Sequence, residues 1–189
     1  GIEDLLRRRA EMLESIDREI LAGYTRPVTL LFTDIVGSTR YYERMGDIAG
    51  RQMVQMHNDL LFPFIEAAAG KVIKTIGDSI MASFEDPVRA VRCAVDMQKA
   101  LKAHNESPSA AHRFQVRMGL HYGRAMVDER DLFGDMVNTA ARVEAQAEGG
   151  EILVSGQLAE KLEGAGIPLE LLGEEFVTGK EVKIRFHLV

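Results

Sequence analysis

Residues 28–39, VTLLFTDIVGST, are the stretch that decides how the chain folds. The β-branched and apolar residues at 28–32 predict a buried strand, which ends close to Asp34. Gly37 and Ser38 predict a turn that caps the helix after it. The stretch therefore indicates an α/β domain in which a carboxylate lies at the end of a central strand.

The next segment, residues 70–84 (GKVIKTIGDSIMASF), contains two strand-like runs around a very short break. Such a pattern predicts a β-hairpin with Gly77 and Asp78 in its turn. Pro87 then opens an amphipathic helix that continues to about His104.

The rest of the chain continues the alternation of strands and helices. FQVRMGLHYGRAMV, at residues 114–127, predicts a second pair of strands around a turn at Tyr122 and Gly123. The later elements expected are a helix at about 135–147, a strand at 151–155, a short helix capped by Ser155, and strands at 174–176 and 182–188. With no internal repeat, this order predicts an α/β sandwich (α+β) in which helices cover a mixed sheet.

Composition limits the classes of protein that the chain can belong to. Its 189 residues, 46% hydrophobic and 28% charged, fit one folded domain with a short extension. The net charge of −6 argues against a nucleic-acid or anionic membrane surface, so we expect no nucleic-acid partner and no direct membrane contact. Cys93 is the single cysteine, and no apolar run is long enough to span a membrane, so a cytoplasmic location is expected.

Residues 1–24 are expected to form a helix, and residues 25–189 a single domain without an internal linker. Apolar residues at imperfect heptad spacing mark one face of this helix: Ile2, Leu6, Leu13, Ile16 and Ile20. One interpretation is an amphipathic helix packed on its own domain. The other is the end of a coiled-coil linker to an upstream sensor or regulatory domain, which a chain beginning at Gly1 without methionine favours.

Asp34 and Asp78 are stronger evidence for a functional site as a pair than singly. Alone, Asp34 is typical of a helix cap, and Asp78 of a hairpin turn. A sheet that pairs their strands would bring the two carboxylates to one cleft, where they repel each other unless a divalent cation lies between them. Mg²⁺ or Mn²⁺ carrying a polyphosphate suits such oxygen ligands, and the amides that begin the next helix suit a phosphate.

VTLLFTDIVGST, GKVIKTIGDSIMASF and DLFGDMVNTAARVE together resemble the catalytic domain of the class III nucleotidyl cyclases, the adenylyl and guanylyl cyclases. The resemblance covers about residues 26–189 and implies a ferredoxin-like, mostly antiparallel sheet covered by helices. It further implies a head-to-tail homodimer with its active sites between the subunits. The implied reaction converts ATP to 3′,5′-cyclic AMP and pyrophosphate.

The resemblance also assigns roles to residues. Asp34, Asp78 and the backbone carbonyl of Ile35 match the family's ligands for two Mg²⁺ or Mn²⁺ ions per active site. Lys74 and Asp131 match the positions that read the purine, and a donor paired with an acceptor there suits adenine. Read without the family, the lysine is an ordinary solvated strand residue and the aspartate a loop charge.

Asn138 and Arg142 are four residues apart, and hence on one face of a helix. The resemblance implies that Asn138 orients the ribose and that Arg142 stabilises charge on the phosphoryl group. Without the resemblance, Asn138 and Arg142 are surface residues at a common helical spacing. The resemblance implies that one subunit supplies Asp34 and Asp78 to a cleft. The other subunit supplies four residues to the same cleft: Lys74, Asp131, Asn138 and Arg142. A monomer is therefore expected to be inactive.

Some positions depart from the family pattern. Ser79 follows Asp78 where many members have glycine, and Lys180 is offset by two residues from the usual lysine for the terminal phosphates. Arg124 or Arg130 is expected to help Lys180 in that role. The histidines form no recognisable ligand cluster and are expected on solvated faces. Two alternatives to an adenylyl cyclase stay open: a guanylyl cyclase, and a catalytically silent regulatory or dimerisation module of the same fold.

Overall fold

The computed structural model describes residues 1–128, 131–176 and 183–189. In this part of the chain, eight strands form one sheet, with bounds β1 Thr25–Ile35, β2 Lys71–Ile76, β3 Ser79–Phe84, β4 Val116–Val127, β5 Leu132–Phe133, β6 Ile152–Ser155, β7 Glu170–Phe176 and β8 Lys183–Leu188. The helices of the same ranges are α1 Ile2–Tyr24, α2 Ser38–Ala67, α3 Pro87–Glu106, α4 Asp135–Ala145 and α5 Gly156–Lys161.

The sheet has the strand order β2-β3-β1-β4-β6-β8-β7, and β5 pairs with β4 beside this path. β4 and β6 are parallel, whereas the other strand pairs among the described residues are antiparallel. This mixed, mostly antiparallel sheet with helices packed on it confirms the predicted fold class.

β1 lies near the middle of the sheet and contributes to a hydrophobic core on each face. Leu31 and Ile35 pack in the larger core with residues of α2 and α3. Leu30 and Phe32 point to the opposite face and pack with residues of α4. Because side chains alternate along a strand, Asp34 falls on the same face as Phe32, which is the face that α4 covers.

β4 corrects the prediction of two strands around Tyr122 and Gly123. The segment forms one strand of twelve residues, which pairs with β1 without interruption from Thr25–Met126 to Ile35–Val116. Gly123 allows close packing rather than a turn, because a Cβ there would lie 3.1 Å from both Met136 Cβ on α4 and His121 Nε2. β5, which pairs with the end of β4, was not predicted.

The turns and helix caps predicted from the sequence agree with the structure in most cases. β2 and β3 form the predicted hairpin, and Ser155 Oγ accepts a hydrogen bond from Leu158 N at the start of α5. The predicted turn and cap before α2 are confirmed for Gly37, which is the N-cap residue and has a left-handed φ of 72°, but Ser38 is the first residue of the helix and no side chain caps it.

Helix α1 has 23 residues, and none of them is buried. Its large apolar side chains are exposed, including Leu13 at 48% and Ile16 at 45% of their full surface. The helix therefore does not contribute to the core of its own domain, and the coiled-coil interpretation remains a prediction. No helix in the described ranges is long and apolar enough to cross a membrane.

Candidate active site

Asp34 lies near the end of β1, and its carboxylate is 20% exposed. Ser79, the first residue of β3, donates a hydrogen bond from Oγ to Asp34 Oδ1 at 3.3 Å. The register of the two strands explains this contact, since Thr33 pairs with Ile80. The hairpin of β2 and β3 thus ends beside Asp34.

Asp78 occupies the turn of that hairpin, after Gly77 with its left-handed φ of 62°. Its Oδ2 atom is buried and has no hydrogen-bond partner among the described residues. Ser79, which follows Asp78, contacts Asp34, and both aspartates raise the pKa of Glu144. The structure therefore brings the two predicted metal aspartates to one corner of the sheet.

These residues fit a divalent cation. A buried carboxylate oxygen without a partner is costly, and a bound cation would satisfy Asp78 Oδ2. Ile35 follows Asp34 and its side chain is buried, so the group it has to offer is its backbone carbonyl. In the described ranges, no three or more His, Cys, Asp or Glu residues are grouped to hold a metal alone, so backbone and substrate oxygens would have to complete the coordination.

The start of α2 lies directly after this corner. Tyr41 N donates to Gly37 O in the first turn, and no side chain caps the helix. The first amides of a helix without a side-chain cap are available to an anion. The phosphate-binding prediction for this turn is compatible with the geometry.

Arg117 is a charged residue of this corner that the sequence analysis missed. From β4, its Nη2 and Nε lie 2.7 and 3.0 Å from Asp34 Oδ2, and its Nε lies 2.6 Å from Glu144 Oε1 on α4. α4 approaches closely because residue 119 is glycine: a Cβ there would lie 2.2 Å from the Glu144 backbone nitrogen. A charged residue within the otherwise apolar run VRMGL was the signal available in the sequence.

Burial controls the ionisation of the groups behind the corner. It raises the pKa of Glu144 to about 7, an increase that Arg117 opposes and the two aspartates favour. Burial also lowers the pKa of His57, whose Nε2 lies 3.5 Å from Thr33 Oγ1. The expectation that the histidines lie on solvated faces is wrong for His57 and His121, which are both buried.

Lys74 and Asp131, the predicted purine-reading pair, are in contact. Lys74 Nζ on β2 lies 2.9 and 2.7 Å from the two carboxylate oxygens of Asp131, next to β5. Asp131 Oδ1 also accepts a hydrogen bond from Leu132 N at 2.8 Å. The hydrogen bond from Lys74 lowers the pKa of Asp131, followed by that from the Leu132 amide. The two side chains form an ion pair, and both are partly exposed to solvent.

Asn138 and Arg142 lie on α4, away from its buried residues Met136, Ala140 and Val143. Asn138 is exposed and Arg142 is half-buried. Among the described residues, no hydrogen bond or ion pair joins either of them to Asp34 or Asp78. The structure of one chain thus does not assemble all the predicted site residues at one point.

Three residues were considered for the terminal phosphates: Lys180, Arg124 and Arg130. Lys180 and Arg130 lie outside the described residues. Arg124 pairs with Pro27 near the start of β1, where its Nη2 donates to Thr25 O at 3.3 Å. It is therefore at the opposite end of β1 from Asp34.

Comparison with known proteins identifies the family. Residues 21–189 match the family described as the adenylate and guanylate cyclase catalytic domain, so the chain belongs to that family. It is 34% identical over 151 residues to a putative adenylate cyclase 3 of Rhizobium meliloti, a match that covers 80% of this chain and 24% of that protein. The chain thus spans about a quarter of that relative's length.

Solved structures support the same assignment. An adenylate/guanylate cyclase/hydrolase from Silicibacter pomeroyi is 33% identical, with a TM-score of 0.76 over 87% of this chain and 96% of that one. The adenylyl cyclase CyaB from P. aeruginosa has a TM-score of 0.78 over 87% of this chain and 93% of that one. At 23% identity, the second likeness concerns the fold alone. The predicted membership of the cyclase family is confirmed.

Proposed function

We propose that the chain is the catalytic domain of an adenylyl cyclase, which converts ATP to 3′,5′-cyclic AMP and pyrophosphate at sites shared between two subunits. The contact between Lys74 and Asp131 is the observation that carries the choice of ATP. The name of the Rhizobium meliloti relative, a putative adenylate cyclase, points in the same direction.

The corner at Asp34 and Asp78 would hold two Mg²⁺ or Mn²⁺ ions, with the carbonyl of Ile35 as a further ligand. When bound, these ions supply positive charge that activates the ribose 3′-hydroxyl and holds the triphosphate. The carboxylates of Asp34 and Asp78 would hold these ions in place, so that the ribose 3′-oxygen bonds to the α-phosphorus in line with the bond that breaks to release pyrophosphate. The hydroxyl proton would pass to a carboxylate of the corner, to water or to the substrate itself. The uncapped start of α2 would bind phosphate oxygens beside them.

Lys74 and Asp131 would read the adenine base. The ammonium donates to the unprotonated ring nitrogen, and the carboxylate accepts from the exocyclic amine. Guanine presents an N–H and a carbonyl at the same positions, so both contacts would become unfavourable. An unpaired polar contact of this kind costs about 1–3 kcal/mol, which is enough to give ATP preference over GTP.

Asn138 and Arg142 would act in the cleft formed with a second copy of the chain. They lie on the outward side of α4, where a partner subunit can approach them. Asn138 would hold the ribose, and the guanidinium of Arg142 would stabilise the charge that develops on the phosphoryl oxygens. A head-to-tail homodimer places these residues opposite the metal corner of the other subunit.

The test is product formation from ATP and from GTP with Mg²⁺ or Mn²⁺, measured by chromatography at several protein concentrations. We expect cyclic AMP, with activity per subunit rising as the dimer forms. Asp78→Asn protein, purified in the same way, controls for contaminating cyclases. Cyclic GMP as the main product would indicate a guanylyl cyclase. No product from a protein shown by light scattering to be dimeric would indicate a silent module.

A further inference from the structure

The position of Asp78 depends on the backbone around it. Among the described residues, its buried Oδ2 atom has no hydrogen-bond partner. The pairing of β1 with β3 ends at Thr33 and Ile80, which lie one residue before Asp34 and two residues after Asp78. A contact that fixes Ile80 against Thr33 therefore also fixes the hairpin turn relative to Asp34.

The side chain of Thr33 makes such a contact. Ile80 N donates a hydrogen bond to Thr33 Oγ1 at 3.1 Å, and Thr33 is fully buried. A hydroxyl that accepts from an amide still has its own proton to donate. His57 Nε2, on α2, lies 3.5 Å from Thr33 Oγ1 and is the acceptor within its reach among the described residues.

His57 is in the form that can accept this proton. Its side chain is fully buried, and burial lowers its pKa, so the ring is neutral and carries one N–H. Its Nδ1 atom lies 3.0 Å from Asn58 Oδ1, which can only accept, so the N–H is on Nδ1 and Nε2 is unprotonated. The ring of Phe114 packs edge-on against it, with the centroids 6.1 Å apart. His57 thus presents a fixed acceptor to the Thr33 hydroxyl.

We propose that Thr33 is a positioning residue for the metal corner: its hydroxyl, oriented by His57, holds the start of β3, and with it Asp78, beside Asp34. The proposal rests on the metal site of the proposed function. Without the hydroxyl, the end of the hairpin is free to move, so metal affinity falls although no metal ligand is lost.

β1 contains a matched control for this role. Thr29 lies on the same face of the strand as Thr33 and is also fully buried. Its Oγ1 atom has no hydrogen-bond partner among the described residues. Replacing a buried threonine by valine removes a hydroxyl at both positions, but only at Thr33 does it remove a hydrogen bond of the described structure.

The first experiment measures binding of the Mn²⁺ complex of 3′-deoxy-ATP, which lacks the reacting hydroxyl, by calorimetry. Thr33→Val keeps the size of the side chain and should bind roughly five- to tenfold more weakly, the effect of one lost hydrogen bond. Thr33→Ser keeps the hydroxyl and should bind nearly as tightly as the wild type, and Thr29→Val should bind as the wild type does. Equal binding by Thr33→Val and Thr29→Val, or an equal loss in Thr33→Ser and Thr33→Val, would overturn the proposal.

The second experiment separates positioning of the metal ligands from a general loss of structure. Cyclase activity is measured against the concentration of free Mn²⁺ at saturating Mn²⁺–ATP. Thr33→Val should raise the Mn²⁺ concentration for half-maximal activity several-fold, and Thr29→Val should not. A merely structural defect removes active protein, which lowers the maximal rate and leaves the half-maximal concentration unchanged. An unchanged half-maximal concentration in Thr33→Val would therefore contradict the positioning role.

The third measurement needs neither metal nor nucleotide and uses ¹⁵N-labelled protein. In the wild type, the ring ¹⁵N shifts of His57 should show a proton on Nδ1 and an unprotonated Nε2, and the Ile80 amide should exchange slowly with water. Thr33→Val should speed exchange of that amide several-fold relative to Thr29→Val. A proton on Nε2, or equal exchange in the two variants, would sink the proposal. The tautomer is determined in the wild type, so this test does not require Thr33→Val to fold.

The two levels of proposal fail in different ways. If the wild type does not bind the Mn²⁺ complex, or if Asp34→Asn and Asp78→Asn leave binding unchanged, the proposed metal site is wrong. If the wild type binds and both aspartate variants lose binding, the metal site stands. Wild-type binding by Thr33→Val would then remove the role of Thr33 alone.

Discussion

The buried carboxylate oxygen of Asp78 makes this residue the sharpest single test of the proposed metal site. Asp78→Asn keeps the shape of the side chain and removes its charge. We expect kcat/KM to fall by about a hundredfold or more, since a lost ligand forfeits several kcal/mol of charge stabilisation. The melting temperature should change little, because Asp78 lies in a turn and asparagine keeps the size of its side chain. Calorimetric binding of Mn²⁺ with nucleotide should fall in parallel.

The control for this change is Asp59→Asn on α2. Asp59 is an exposed carboxylate that accepts a hydrogen bond from Gln55, and it lies outside the candidate site. It should retain wild-type activity and binding. Asp78→Asn protein that binds Mn²⁺ with nucleotide as tightly as the Asp59→Asn control would contradict the ligand assignment.

The purine-reading pair predicts a change of substrate preference. Lys74→Glu combined with Asp131→Ser replaces the donor toward adenine with an acceptor for the guanine N–H. Each lost contact costs about 1–3 kcal/mol, so kcat/KM for ATP should fall by roughly ten- to hundredfold. The gain with GTP should be smaller, because the rest of the pocket is unchanged. The ratio of kcat/KM for ATP and GTP is the measurement, and an unchanged ratio would exclude the pair from reading the base.

At the scale of residues, the sequence predicts those side chains whose signal is local. Asp34 and Asp78 follow strand and turn patterns that are visible within a few positions, and the structure brings them together. The contact of Arg117 with Asp34 depends on the register of β1 and β4, residues 83 positions apart. No periodicity within either strand reveals that register.

At the scale of elements, β4 shows where sequence patterns mislead. Tyr122 and Gly123 suggested a turn, but glycine in a strand can also mark close approach of a helix, as it does here against Met136. The hairpin at Gly77 was predicted correctly because its two strands are adjacent in sequence. The length of β4 is set instead by its long antiparallel pairing with β1.

Helix α1 predicts association with a second copy of the chain. Its exposed apolar side chains at heptad positions include Leu13 and Ile16. Leu13→Asp combined with Ile16→Asp should raise the dimer dissociation constant roughly tenfold or more, because two charges would enter an apolar contact. Ser15→Asp, on the same helix but outside this stripe, is the control. Sedimentation that gives one dissociation constant for all three proteins would exclude a role for α1 in the dimer.

The hydrogen bond between His121 Nδ1 on β4 and Ser155 Oγ, at 2.7 Å, connects β4 to the start of α5. Burial lowers the pKa of His121 to about 4, so the folded protein resists protonation that the unfolded chain accepts near pH 6.5. Its contribution to stability is present above pH 6.5 and is lost as the pH falls toward 4. The loss is at most about 3 kcal/mol.

Glu144 acts in the opposite direction over nearly the same range, since its raised pKa lowers stability as the pH rises toward 7. The total curve therefore mixes both groups. The difference in unfolding free energy between the wild type and His121→Gln, measured in urea from pH 4.5 to 7.5, isolates the histidine. Below pH 6.5, the unfolding free energy of the wild type should fall relative to that of His121→Gln. A difference that does not vary with pH would show that His121 is not buried in its neutral form.

At the scale of the whole molecule, the alternation of strands and helices was sufficient to predict the sandwich and the mixed sheet. The order of strands was not predictable from it, because the sheet places β4 between β1 and β6 through contacts distant in sequence. The same limit applies to the site. The sequence supplies its residues, but among the described residues of one chain Asn138 and Arg142 form no hydrogen bond or ion pair with Asp34 or Asp78. We therefore propose that a second subunit completes the site.

Mixing two inactive variants tests that arrangement. Asp78→Asn damages the metal corner, and Arg142→Ala damages α4. In a mixed dimer, one cleft carries both defects, and the other combines an intact Asp78 from one subunit with an intact Arg142 from its partner. Random exchange makes about half of the dimers mixed, each with one working cleft, so roughly a quarter of wild-type activity should return. Asp78→Asn mixed with the Asp59→Asn control should give about half, because each control subunit brings its own intact corner. If exchange is demonstrated by labelled subunits and no activity returns from the first mixture, all the catalytic residues must act within one chain, and the shared site is wrong.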